Sequence, residues 1–295
     1  MSWIICTIVG ALLQTFRNLE QKSLNKKLDT LTVSWSRFIL PLPLALAVVS
    51  LTAPIIQYQF LLYCVITAIF QISGNFLLLE TFKSKNFSVG VAFYKTEVLQ
   101  TVILGLLFFN QNISNAGFLA ILVTIFGAFL MSNISLKSGN INFTQRAVIS
   151  GILSGFCFSI SAFNLKFASE NLMAIGYSNI KAPIIVLLWV ITVQNLIFIA
   201  IKSYQKRLKS DLTKLFDSEN KTSFLKTGLL SFLGSAFWFI AFAIGNVIYV
   251  KAVGQIEMVF AVLASQFYLK EKHSAREFVG IIITSFGILT LIILH

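Results

Sequence analysis

Residues 89–109, VGVAFYKTEVLQTVILGLLFF, decide how this chain is read. The stretch is apolar and long enough to cross a bilayer, yet it carries Lys95 and Glu97 near its middle. A charge at bilayer depth costs about 2.5–3.5 kcal/mol on insertion scales, so its presence points to a use. The stretch also recurs. A shift of 160 positions lays Glu97 on Glu257, inside VKAVGQIEMVFAVLASQFYL (250–269). The same shift pairs Asn86 with Asn246, Ala92 with Ala252, Val102 with Val262, Ser114 with Ser274 and Gly127 with Gly287. At 144 positions, Lys22 falls on Lys166 and Arg37 on Lys181. The shift grows from 144 to 160 because the second copy carries an insertion, the long connector Lys202–Ser223. The chain is two copies of one unit, with a glutamate in the matching segment of each.

Working outward, the 295 residues are 57% hydrophobic and only 12% charged, with a mean hydropathy of +0.84. That composition excludes a soluble domain and calls for membrane spans, each helical because lipid offers the backbone no other hydrogen-bond partner. Ten spans are expected, at about 3–22, 31–51, 59–80, 88–109, 117–136, 147–168, 182–201, 225–245, 247–269 and 277–294. Five spans per copy is an odd number, so the copies lie in the membrane with opposite orientation. The expected fold is an all-α integral membrane protein of ten transmembrane helices in two inverted five-helix repeats, residues 1–140 and 141–295. The N-terminal run MSWIICTIVGALLQTF has no basic leader and no small-residue cleavage site, and is read as a retained first span. Cys6, Cys64 and Cys157 lie in apolar runs without disulfide or metal spacing.

Most of the 23 Lys and Arg residues sit in the connectors after spans one, three, five, seven and nine. The even connectors hold only Lys166, Lys181 and Lys251. The positive-inside rule therefore makes the odd connectors cytoplasmic and turns both termini outward from a cell membrane. The net charge of +12 follows from these connectors and is no sign of a nucleic-acid partner. Within connector 202–223, Leu208, Leu212, Leu215 and Phe216 share one helical face, with Lys206, Arg207, Lys209 and Lys214 around them. This is the pattern of a short amphipathic helix on the cytoplasmic surface.

Several polar residues at depth are candidates for a site. In span one, Gln14, Arg17, Asn18 and Gln21 form a helical stripe, with Glu20 three residues beyond Arg17 as a possible partner. The stripe faces either a bundle interior or, with Arg17 and Glu20 snorkelling, the membrane edge. Arg37 in span two is followed by Pro41 and Pro43, which bend a helix. It is read first as one member of an internal ion pair with Glu20 or Glu80, and second as an anchor for a substrate carboxylate. Lys95 and Glu97 are two apart and point different ways. Glu257 has Lys251 almost two turns away, and is expected to be the readier of the two glutamates to hold a proton. Asn75 and Gln71 in span three, and Trp238 and Phe242 in span eight, offer polar and aromatic walls. The two histidines, His273 and His295, lie outside the spans, and no H-E-x-x-H, Walker or G-x-S-x-G motif occurs, so the chain shows no enzyme chemistry and no cofactor or metal site.

The stretch GQIEMVFAVLASQFYLKEKHSAREFVGIIITSFGILTLI (254–292) resembles the closing part of EamA-type units of the drug/metabolite transporter superfamily. Glu257, Glu271, Ser274, Gly280 and Gly287 carry the likeness, and the first copy matches through Glu97, Ser114 and Gly127. Arg37 is similar to the arginine common in the family's second helix. Met258, Lys270 and Gln111 depart from the family pattern. The resemblance implies a central cavity and alternating-access movement of small metabolites. Charges of both signs at depth suit a secondary transporter for small charged or zwitterionic solutes such as amino acids, with the bilayer as its other partner. Nothing requires more than one copy of the chain. The competing readings are efflux of lipophilic cations on Glu97 and Glu257, with Trp238 and Phe242 as an aromatic wall, and a non-transporting assembly subunit.

Overall fold

The computed structural model describes residues 2–53, 57–83, 94–131, 145–268 and 274–294. Residues 88–93 and 132–136 of the expected fourth and fifth spans, and Asn86, Lys270, Glu271, His273 and His295, lie outside that set. Among the described residues the chain is helical without strands. In order, the helices are α1 Ser2–Leu24, α2 Thr30–Ile39, α3 Leu42–Thr52, α4 Tyr58–Lys83, α5 Glu97–Phe108 and α6 Asn115–Met131. The second copy follows with α7 Gln145–Ala174, α8 Lys181–Tyr204, α9 Leu208–Phe216, α10 Ser218–Ile244, α11 Val247–Val253, α12 Ile256–Tyr268 and α13 Ala275–Ile293.

Each expected span overlaps a helix or a helix pair among the described residues, but ten crossings are more than length and apolarity establish. Six segments are long and apolar enough: α4, α7, α8, α10, α11 with the start of α12, and α13. The pair α2–α3, bent by 57° where Pro41 begins the second helix, makes a seventh. α5 and α6 are apolar but shorter, and the polar stripe of α1 lowers its hydropathy. Two expected continuous spans are in fact broken. α5 starts only at Glu97, after a turn at Lys95–Thr96, and a turn at Gly254–Gln255 separates α11 from α12.

The packing repeats with two-fold symmetry. α1 packs on α10 and α4 on α7; α1 meets α12 as α7 meets α5; α3 packs on α8 and α6 on α13. The sequence register is reproduced in space. A Cβ on Gly74 would meet Cys157 at 3.2 Å, and one on Gly234 would meet Leu13 at 3.3 Å; residues 13 and 157 are 144 apart. The outward faces remain apolar. Along α13, Phe278, Ile282, Phe286, Leu289 and Ile293 are 46–82% exposed, a continuous stripe suited to lipid rather than water.

The connector helix α9 lays Leu215 into the interior, with Leu208 and Leu212 against the main core, while Phe216 stays half exposed beside Phe224. Its apolar face is thus partly taken up by the protein itself. Lys202, fully buried at the end of α8, donates to Asp211 at 2.6 Å, Thr32 at 2.7 Å and Asp29 at 3.4 Å. Removing Asp211 takes the shortest ion-pair partner from a buried ammonium and leaves it with Thr32 and the longer contact to the partly exposed Asp29. Asp211→Ala is therefore expected to release α9, read as faster tryptic cleavage in 202–223; unchanged cleavage would refute this anchoring. Burial pushes the Asp29 carboxyl up, but hydrogen bonds from Thr32 and the charges of Lys202 and Arg207 outweigh it and hold it below its usual value. The Asp29 contribution is therefore complete above the unfolded-state pKa of about 3.9 and fades as pH falls through the lower folded value. Cleavage of the wild type by a protease active in acid, such as pepsin, should rise as pH falls through that window.

Candidate functional site

The two helix breaks assemble the site. Each is followed by a new helix whose first turn carries a glutamate, Glu97 on α5 and Glu257 on α12. Unpaired N–H groups and the helix dipole favour a carboxylate at that position. Gly155 makes room for the first break: a Cβ there would lie 3.0 Å from Glu97 Cβ and 3.1 Å from the Tyr94 carbonyl oxygen.

The cations cross between copies. Lys95 Nζ of the first copy is 2.8 Å from Glu257 Oε2 of the second, and Lys251 Nζ of the second is 3.1 Å from Glu97 Oε2 of the first. All four side chains are less than a tenth exposed. Glu257 also accepts from Gln14 Nε2 at 3.0 Å and from Asn18 Nδ2 at 2.9 Å. The expectation that Glu257 stands away from any cation is overturned, and with it the argument that it keeps a proton more readily than Glu97. Sequence distance misled here, because the partner comes from the other copy.

The arginines also depart from expectation. Arg17 does not pair with Glu20. It donates to Asn18 Oδ1 at 2.9 Å through a terminal nitrogen, while Glu20 turns to Lys226 on α10 at 3.6 Å. Arg17 is 4% exposed and buried in the bundle, so it does not snorkel. Among the described residues Arg37 is no member of an ion pair. It donates to Asn75 Oδ1 at 2.7 Å, Asn75 donates in turn to Ser34, and Glu80 accepts from Thr30 elsewhere. The Arg37 Nε–H is buried and has no partner among the described residues.

These elements surround a cavity of about 60 Å³, enough for a few waters. Gln14, Arg17, Arg37, Glu97, Trp238 and Glu257 line it. Lys95 and Asn75 stand behind the wall, holding Glu257 and Arg37. Trp238 stacks on Phe242 at 5.4 Å and is flanked by Gly10 and Gly254, whose missing side chains leave space for the indole. The cavity sits on the symmetry axis. Gln14 and Phe158, Arg17 and Ser161, and Glu97 and Glu257 are register equivalents, and all six line it. The candidate list lacked Lys251, Phe158, Ser161 and Tyr94. The register could have nominated Phe158 and Ser161, since the 144-residue shift lays them on Gln14 and Arg17.

Comparison with known proteins agrees with this architecture. The model of the EamA-like transporter family matches residues 1–133 and again residues 145–293. A search of curated proteins finds no match. A solved structure titled only "Crystal structure of protein" is 12% identical and superposes with a TM-score of 0.73, covering 99% of this chain and 97% of its own; at that identity the likeness concerns the fold alone. With its family matched twice over nearly its whole length, the chain belongs to the EamA-like transporter family of the drug/metabolite transporter superfamily, a multi-pass membrane protein.

Proposed function

We propose that this protein is a secondary transporter that moves small charged or zwitterionic metabolites by alternating access between its two copies. The units are residues 1–140 and 141–295, crossing the membrane ten times in opposite orientations with both termini outward. The observation that carries the reading is a buried, charged cavity on the symmetry axis, built where one helix of each copy is broken. Broken helices at the repeat interface are the usual setting for a transport site. Two buried ion pairs that bridge the copies are also suited to exchanging partners as the copies rock. Glu97 and Glu257 are the acids in the cavity wall, so a coupled proton would be carried by one of them. Lipophilic cation efflux fits less well, because both glutamates are already engaged by lysines and two arginines add positive potential.

The test is purified protein in liposomes. Saturable exchange of a labelled small anion or zwitterion is expected, with net movement when a pH gradient is imposed. Preferential movement of lipophilic cations would favour the efflux reading. No solute movement by folded protein would favour an assembly subunit.

A further inference from the structure

We infer that the cavity holds a small oxyanion, and that a dianionic solute is preferred over a monoanion. The inference rests on the transporter reading of the same cavity and specifies its cargo. Arg17, Arg37, Lys95 and Lys251 supply four positive charges around the cavity, and Glu97 and Glu257 supply two negative ones. The lysines are committed to the glutamates, which leaves two guanidiniums in excess. Among the described residues no carboxylate oxygen lies within 4 Å of either arginine; each leans instead on an asparagine, which contributes no charge. Both are at least 95% buried and line the same cavity. Two like charges held together in a low-dielectric interior call for a counter-charge. A guanidinium presents a planar fork of donors matched to carboxylate and phosphate oxygens. Among the described residues the buried Arg37 Nε–H is a donor without a partner, as is the indole N–H of Trp238, which also lines the cavity. The stacked Trp238–Phe242 pair gives the apolar part of a solute a wall. The asymmetry is informative too. The register equivalent of Arg17 is Ser161, and that of Arg37 is Lys181, which is exposed at the start of α8. The anion subsite therefore belongs to the first copy alone.

A matched four-carbon series tests this on the purified full chain: succinate (dianion), succinamate (monoanion), succinamide (neutral) and putrescine (dication), with glycerol 3-phosphate as the phosphate probe. Binding is read as a rise in melting temperature. Stabilisation is expected to fall from succinate to succinamate to succinamide, with none from putrescine, and glycerol 3-phosphate should match or exceed succinamate. Arg17→Gln and Arg37→Gln should each weaken succinate binding roughly tenfold or more. Arg17→Lys and Arg37→Lys, which keep the charge but lose the fork, should recover part of it. If a glutamine variant does not fold, the order of the series on the wild type decides alone. Equal stabilisation by succinamide or putrescine, or no response to any oxyanion, overturns the inference. So does phosphatidylglycerol giving an arginine-dependent shift where succinate and glycerol 3-phosphate give none, since the ligand would then be a lipid headgroup. Charge-ordered binding without movement in liposomes counts against the transporter reading and leaves the anion site standing. Saturable transport with no oxyanion binding does the reverse.

Discussion

Lys95→Met will destabilise the protein by about 3–5 kcal/mol, the usual cost of leaving one member of a buried ion pair alone. The pair it breaks is 2.8 Å long, with both side chains under a tenth exposed, and it joins the first copy to the second. Glu257 keeps Gln14 and Asn18 as donors but loses its only cation within ion-pair distance among the described residues, so most of the penalty is uncompensated charge. Lys95→Met combined with Glu257→Gln should therefore recover much of the loss, because an amide there can still bond to its neighbours. The measurement is a double-mutant cycle from unfolding of the detergent-solubilised chain. A double variant no better than the single one would mean that Lys95 contributes packing and not charge. Lys251→Met with Glu97→Gln should behave alike, since the 3.1 Å pair is buried to the same degree and also joins one copy to the other.

Gly127→Ala and Gly287→Ala will each destabilise the α6–α13 crossing by about 1–3 kcal/mol, the scale of overpacking. A Cβ on Gly127 would collide with the Thr284 backbone nitrogen and hydroxyl and lie 2.9 Å from the Gly280 carbonyl oxygen. One on Gly287 would lie 2.8 Å from the Thr124 nitrogen and 3.0 Å from the Ala120 carbonyl oxygen. These are backbone atoms, so no rotamer change relieves the clash and the helices must part. The expected sign opposes helix propensity, by which alanine gains up to about 1 kcal/mol over glycine. Gly234→Ala is the contrast. Its nearest obstacle is the Leu13 side chain at 3.3 Å, which can yield by a few tenths of an ångström. Thermal unfolding of the three variants separates the cases, and a stabilised Gly127→Ala would show that the helices are not in such intimate contact.

The repeat and its register were legible in the sequence because the duplicated positions are largely those where helices touch: Gly127 with Gly287, and Gly74 with Gly234. The helix breaks were not. Lys95–Thr96 contains neither proline nor glycine, and one glycine at 254 does not announce a break in an apolar run. The partners of the charged residues were also hidden. Glu20 lies near Arg17 along the chain, yet it points to Lys226 on a helix some two hundred positions away. Lys251 and Glu97 are 154 positions apart and meet only because the copies pack face to face. Composition and periodicity report which residues are buried; they do not report across which interface a charge is answered.

The crossed ion pairs also bear on ancestry. Lys95 has Gln255 as its register equivalent, and Lys251 has Val91, so each copy carries one lysine at a different place. If two molecules of the first half alone associated as the halves do here, Lys95 of each would meet Glu97 of the other. Two molecules of the second half would join Lys251 to Glu257 in the same way. Either half is thus self-complementary in charge, a condition that a homodimer of one half alone would have to meet. After fusion the halves can come to use different lysines without stranding a glutamate, provided the new lysine is gained before the old one is lost.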